Sequence, residues 1–173
     1  MTCKHCNEQF ERLKFNQKYC LKTECVNVWI ESEKSKQWAK RKKDLKKEME
    51  TIQELIKKAQ TTFNTYIRTR DRNELCISCN KPLKAKFDAG HYFNANNHWA
   101  VRFDENNVHG QCVECNQYKH GNLLNYQIGI QKKIGPEALI NLHSIAHDVR
   151  KFTRDELNEI IIVYKEKTKS IKS

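Results

Sequence analysis

The chain has 173 residues, enough for one ordinary domain or two small ones with a connector. Its 32 Lys and Arg outnumber 21 Asp and Glu, for a formal charge of +11 and a pI near 9.3, a balance that attracts nucleic acid first and anionic membrane second. No apolar run approaches the ~18 residues that cross a bilayer, and Met1-Thr2-Cys3-Lys4 lacks the order of a signal peptide, so a soluble, intracellular protein is expected.

Residues 1–30 are Cys-rich and too short to bury a core alone. In a reducing compartment paired cysteines hold metal more often than they form disulfides. All eight pair off, as Cys3/Cys6, Cys20/Cys25, Cys76/Cys79 and Cys112/Cys115. The first four, spaced C-x2-C-x13-C-x4-C, predict a zinc module with Phe10 and Phe15 as its small core. Lys14, Lys18 and Lys22 point this module toward DNA, a structural cap being the alternative.

Residues 31–72 contain no Gly or Pro and are dense in Lys, Glu and Gln, which favours a long helix. Leu45, Met49, Ile52, Ile56, Ala59, Phe63 and Tyr66 recur at spacings 4, 3, 4, 3, 4, 3, with Trp38 one heptad earlier and Lys42 interrupting the seam's start. This pattern predicts a coiled coil that can dimerise, or a single amphipathic helix packed on its own domain. Ten Lys and Arg against four Asp and Glu between Lys34 and Lys58 make the exposed flank a phosphate-facing arm, or a solvated face. The candidate DNA contacts are Lys40, Arg41, Lys42, Lys43, Arg68 and Arg70.

Residues 73–130 carry the second cysteine set. Cys76-Ile77-Ser78-Cys79 and Cys112-Val113-Glu114-Cys115 are two C-x2-C knuckles 32 residues apart, the ligand set of a closed tetrahedral zinc site. Such a site is a staple with no open position. A redox role would need one such motif at a strand–helix junction. Between the knuckles Phe87–Phe93 predicts a strand with His91 near its end, Val101-Arg102-Phe103 a returning strand, and Asp104-Glu105-Asn106-Asn107 a turn. From Cys115 a helix is expected to run to about Gly121, giving a ββα arrangement around a histidine.

In such a site His91 would be a general base toward water, since imidazole titrates near working pH. Asn116 offers a neutral carbonyl oxygen suited to Mg²⁺ or Mn²⁺. His120, at i+4 on the same helical face, would be a further ligand or a phosphate contact. Asp88 is the nearest carboxylate before His91. The two point to opposite faces of a strand, so Asp88 needs a bend at Gly90 to join the metal.

Residues 131–173 form a C-terminal helical region. Pro136 opens a helix through Leu139, Leu142 and Ile145. Thr153 with Glu156 is a capping box before the stripe Leu157, Ile160, Ile161 and Tyr164. His143 and His147 lie one turn apart, and a structural or exposed role is favoured over a metal site. His98 is expected to be exposed, and Tyr92 and Tyr118 can stack on substrate or pack in a core.

The segments Phe63–Asp71, Cys76–Cys79, Asp88-Ala89-Gly90-His91-Tyr92 and Asn107–Asn116, with Gly121-Asn122, resemble the NinG/Rap family of lambdoid phages, in order and across residues 1 to about 130. The resemblance implies a phage- or prophage-encoded recombination endonuclease, acting in the bacterial cytoplasm on branched DNA such as Holliday junctions and D-loops. The core is also similar to phage recombination endonuclease VII, a dimeric junction resolvase with a four-cysteine zinc. That pattern places an Asp directly before the catalytic His and an Asn directly after the last zinc Cys. Here Gly90 stands where the Asp would be, with Asp88 as substitute, while Asn116 fits the Asn and Asn107 the middle Asn that pins the histidine's loop. His109 belongs to the motif without an assigned role.

The reading is therefore a small α+β, zinc-stapled HNH-like (ββα-metal) nuclease, with a basic helix and an N-terminal zinc module. It would carry two structural Zn²⁺ and a catalytic Mg²⁺ or Mn²⁺, act as a homodimer, and need no membrane or other small-molecule cofactor. Two alternatives remain: a general or site-preferring HNH nuclease, and a non-catalytic zinc DNA-binding protein.

Overall fold

The computed structural model describes residues 1–172, apart from the side chain of Lys47. The chain divides into two compact units, Met1–Glu50 and the remainder from Thr51. Both belong to a helix-rich α+β protein in which no helix among the described residues is long and apolar enough to cross a membrane.

The first unit folds around its four cysteines. A single bridge pairs Thr2 with Gln9, and the chain then loops back so that Cys20 N–H donates to Cys3 Sγ at 3.3 Å. Helix α1 (Thr23–Glu48) supplies Cys25 from its first turn. Phe10 and Tyr19 pack against the sulfurs. Phe15, expected in this core, is 90 % exposed instead, and Tyr19 fills the place beside the sulfurs. Beyond the cysteines α1 has no apolar stripe of its own, and Trp38 and Leu45 stand exposed along it.

A single helix across residues 31–72 does not form. The chain leaves helical conformation after Glu48, and α2 (Ile52–Arg70) starts anew at Thr51. The cause is local: Glu54 N–H donates to Thr51 Oγ1 at 3.2 Å while Thr51 N–H donates to Glu54 Oε2 at 2.8 Å, a reciprocal capping box. The heptad seam is cut at this point. Its later members Ala59, Phe63 and Tyr66 are buried within the second unit, so α2 is the amphipathic helix packed on its own domain.

In the second unit α2 lies against α5 (Arg154–Lys172), with Leu55 and Ala59 meeting Leu157, and Phe63 meeting Tyr164 edge-on at 4.7 Å. The sheet is one antiparallel hairpin, β1 (Asp88–His91) with β2 (Val108–Gln111), in the register Asp88↔Gln111, Ala89↔Gly110, Gly90↔His109, His91↔Val108. The returning strand is thus not Val101-Arg102-Phe103. Trp99–Val101 is a 3₁₀ turn that drops Val101 into a second core. That core lies among α3 (Leu123–Ile134) and α4 (Pro136–Ile145), with Tyr126, Ile130, Leu139 and Leu142 at its centre. Pro136 opens α4, and the Thr153–Glu156 box caps α5.

The expected boundaries at 72/73 and 130/131 mark no break. Helix α3 runs through the second of them, and its Gly129 packs so close to the first knuckle that a Cβ would lie 1.8 Å from the Ile77 carbonyl oxygen.

Candidate functional site

Four sulfurs, those of Cys76, Cys79, Cys112 and Cys115, lie within 4.8 Å of one another, as do those of Cys3, Cys6, Cys20 and Cys25. Each set has the ligand type and closeness of a tetrahedral zinc centre. In the set from Cys76 to Cys115, Cys112 N–H donates to Cys76 Sγ at 3.3 Å and Asn122 Nδ2 to Cys115 Sγ at 3.4 Å. Burial works against ionisation of Cys76, but backbone N–H groups, that of Cys112 foremost, outweigh it and hold the thiol below its ordinary range.

The knuckles seat a polar cluster on one face of the hairpin. Cys115 is followed by Asn116 within a single π-type turn, Glu114–Tyr118. Asn116 Nδ2 donates to Asp88 Oδ2 at 2.9 Å, and Gln117 Nε2 donates to the same oxygen at 2.8 Å. Directly across the ladder from Asp88 stands Gln111, wholly buried. Its Nε2 donates to Ser78 Oγ at 2.7 Å and to the Gly121 carbonyl at 2.6 Å, while its Oε1 has no partner among the described residues. That oxygen lies over Gly90, 2.3 Å from where a Cβ would be, so the strand admits only glycine there without displacement.

Two expectations about this face change. The helix from Cys115 to Gly121 reduces to one turn, and His120 follows it in left-handed conformation (φ 49°), exposed. The i+4 relation that placed His120 beside Asn116 is therefore absent. Nor does β1 bend at Gly90, which pairs regularly with His109. Asp88 meets Asn116 without a bend because both belong to the knuckle face.

His91 occupies the other face, toward α2. Its Nε2 lies 3.3 Å from the Arg102 carbonyl oxygen and 3.5 Å from Gln60 Nε2. Burial pushes the imidazole down to about 4, against the pull of the Arg102 carbonyl, so the ring is neutral at neutral pH. Two buried polar atoms on these neighbours, Gln60 Oε1 and Arg102 Nε, are without partners among the described residues. Among the described residues no hydrogen bond joins His91 to Asp88, Asn116 or His120.

The segment after His91 is held by Asn107. This wholly buried residue accepts from Phe93 N–H at 2.8 Å and donates to the Phe93 and Val101 carbonyls at 3.0 and 2.9 Å. His109 is a structural member of the opposite strand. Its ring sits between the Asn106 carbonyl (3.0 Å) and Arg70 Nη2 (3.2 Å), and burial lowers its pKa to about 4. Its backbone N–H donates to Tyr126 Oη, which in turn donates to the Gly90 carbonyl at 2.8 Å. Tyr126 thereby fixes the backbone immediately before His91.

The remaining candidates divide by exposure. Lys40, Arg41, Lys42 and Lys43 are exposed on α1. Arg68 is half-buried on α2, and its Nη2 donates to Thr65 Oγ1 at 3.4 Å. Arg70 is not available to phosphate, because its guanidinium forks onto Asp71 at 2.7 and 2.9 Å and donates to the Val108 carbonyl. His98, expected to be exposed, is half-buried with Nδ1 3.0 Å from the Ala146 carbonyl. Its ring packs on exposed His147, and Tyr92 packs on exposed His143. Tyr118 is 76 % exposed. Gln60 and Tyr126 carry no local sequence signal for their roles, and Asp71 none beyond membership of the Phe63–Asp71 segment. The Asn107–Asn116 motif contained Gln111, but only the strand register reveals what it faces.

The profile described as "Bacteriophage Lambda NinG protein" matches residues 1–173. "Protein ninG" of Escherichia phage 933W is 42% identical over 118 residues, 68% of this chain and 58% of that protein. The proteins of the same name from Escherichia phage lambda and Salmonella phage P22 are each 41% identical, over 68% of this chain and 57% of their own length. The chain thus matches less than two thirds of the length of these relatives. No solved structure matches it.

Proposed function

The chain belongs to the bacteriophage lambda NinG family, and we propose that it is a metal-dependent, HNH-type endonuclease selective for branched DNA, Holliday junctions and D-loops included. The observation that carries this is the meeting of Asp88 and Asn116, across the ladder from buried Gln111, on a scaffold stapled by four cysteines. A half-turn of the Asn116 amide exchanges nitrogen for oxygen, so a carboxylate and an amide oxygen converge on one point. Hard cations take this donor set, and neutral oxygens beside one carboxylate suit Mg²⁺ or Mn²⁺. The residues fit. Such an ion, when bound, stabilises charge on the scissile phosphate and the leaving oxygen.

His91 supplies the base. Its neutral imidazole, on the face of the hairpin opposite Asp88 and Asn116 and flanked by Gln60 Nε2 and the Arg102 carbonyl, would accept a proton from the attacking water. Asn107 and Tyr126 hold the backbone on either side of the imidazole. The basic residues of α1, Lys40 to Lys43, hold the DNA by its phosphates, so selection is by shape more than by base. A homodimer would match the two symmetric strands of a four-way junction.

The test is cleavage of a four-way junction, a D-loop and linear duplex with Mg²⁺ or Mn²⁺. Preferential cutting of the branched substrates, lost in His91→Ala and Asn116→Ala, is expected. Equal cutting of linear DNA would leave a general HNH nuclease. Undiminished cutting by a clean His91→Ala preparation would remove the catalytic assignment.

A further inference from the structure

Within the first unit the loop carrying Leu13–Leu21 and the first three turns of α1 enclose a groove of about 810 Å³. No candidate residue of the proposed nuclease site lines it. Its apolar part is built from Tyr19, Leu21 and Trp29, and its cationic part from Lys4, Lys14 and Lys18. Trp29 is 47 % exposed and Leu21 69 %, although a unit this small has few large apolar side chains to leave in water. The three lysines make no ion pair among the described residues, whereas Glu33, the one carboxylate lining the groove, is taken by Lys36 at 2.6 Å. The net field in the groove is positive.

We propose that this groove binds single-stranded DNA, with bases stacked on Trp29 and Tyr19 and the backbone phosphates on Lys4, Lys14 and Lys18. Both halves of the surface are needed for that choice. An aromatic floor alone would take any flat apolar group, and lysines alone would take any polyanion. Together they fit a polymer with flat π-faces on an anionic chain. Intact duplex keeps its bases stacked and offers such a floor nothing. The volume lies in the range of small-ligand sites, room for an unpaired nucleotide but not for a helix. The proposal rests on the reading of DNA as substrate and sharpens it: the first unit would grip the unpaired strand that a displaced or branched structure exposes, apart from the residues that cut.

The experiment uses the full zinc-loaded chain and fluorescence anisotropy with labelled oligo(dT), a duplex of equal length and heparin as competitor. Trp29→Ala is expected to weaken oligo(dT) binding roughly tenfold or more, with Trp29→Phe restoring most of it and duplex affinity within about twofold. Joint replacement of Lys14 and Lys18 by Ala should flatten the salt dependence of oligo(dT) binding. Zinc content and circular dichroism of each variant establish that the unit stays folded. Equal oligo(dT) affinity in folded Trp29→Ala, or equal loss for duplex and single strand, would overturn the proposal. The two readings separate cleanly. Trp29-dependent oligo(dT) binding without any DNA cleavage keeps the groove and removes the nuclease; junction cleavage with Trp29 immaterial to single-strand binding does the reverse.

Discussion

The Asn116 amide donates to the Asp88 carboxylate at 2.9 Å, joining the turn after the last cysteine of one knuckle to the first residue of β1. The pair needs no bend in the strand, because the knuckle lies over the face that Asp88 already presents. If the two are cation ligands, each should matter through metal rather than through folding. Asp88→Asn keeps the hydrogen-bonding shape and removes the charge. Its cleavage rate at fixed Mn²⁺ is expected to fall on the order of 100-fold or more, with thermal stability nearly unchanged. A titration of Mn²⁺ followed by its paramagnetic resonance should show weaker binding in the same variant. Unaltered Mn²⁺ affinity would take Asp88 out of the shell.

Two sulfur sets imply two metal ions of different consequence. Atomic emission should find about two zinc ions per chain, following the two four-cysteine clusters. Cys112→Ser is expected to lose one of them and to unfold the hairpin's knuckle face, since Cys112 joins Cys76 and precedes the Asn116 turn. Cys6→Ser should also lose one zinc yet leave the second unit's melting transition in place, because the units have separate cores. A single transition lost equally in both variants would contradict that independence.

The parts of the fold written in local chemistry were legible. Pro136 and the Thr153–Glu156 box mark where α4 and α5 begin, and the cysteine spacing anticipated both sulfur clusters. The Thr51–Glu54 box was equally visible, but the heptad seam running through it suggested one helix. Ala59, Phe63 and Tyr66 serve intramolecular burial, and a 3–4 spacing is the same for a partner helix or a home core. Strand β2 was missed for a different reason. Val108-His109-Gly110-Gln111 is buried on both faces yet largely polar, so no alternation betrays it. Several of its polar groups are satisfied from afar: Gly110 N–H by Asp71 at 2.7 Å, His109 by Arg70 and Tyr126. Contacts spanning 17 to 39 residues leave no local trace.

Buried histidines give the fold an acid limit. In the unfolded chain His91 and His109 titrate near 6.5, whereas burial lowers both to about 4 in the folded one. Between those values the unfolded state binds more protons, so stability is full above pH ~6.5 and is lost as pH falls toward 4. The loss is at most about 3 kcal/mol per histidine, less for His91, which is partly exposed. Urea unfolding at pH 7.5 and 5.5 with zinc in excess should show a falling midpoint. His109→Asn, which cannot take up the proton, should show a smaller fall. An equal fall in the variant would assign the acid sensitivity elsewhere.

Gly90 and Gln111 test how tightly the knuckle face is packed. A Cβ at position 90 would meet Gln111 Oε1 at 2.3 Å and its Cβ at 3.0 Å. A free glutamine would swing aside, but this one is anchored through Nε2 to Ser78 and to the Gly121 carbonyl. Gly90→Ala must therefore break those bonds or shift the strand. A cost of about 1–3 kcal/mol is expected, the range of overpacking in a filled core. Gln111→Ala alone should also destabilise, by leaving Ser78 and the Gly121 carbonyl without their partner. Combined, the two changes should cost less than their sum, because the alanine at 111 vacates the space the added methyl enters. Chemical denaturation of the four proteins closes the cycle. Strict additivity would mean that the two side chains do not compete for one volume, and Gly90 would then owe its place to something other than the buried oxygen above it.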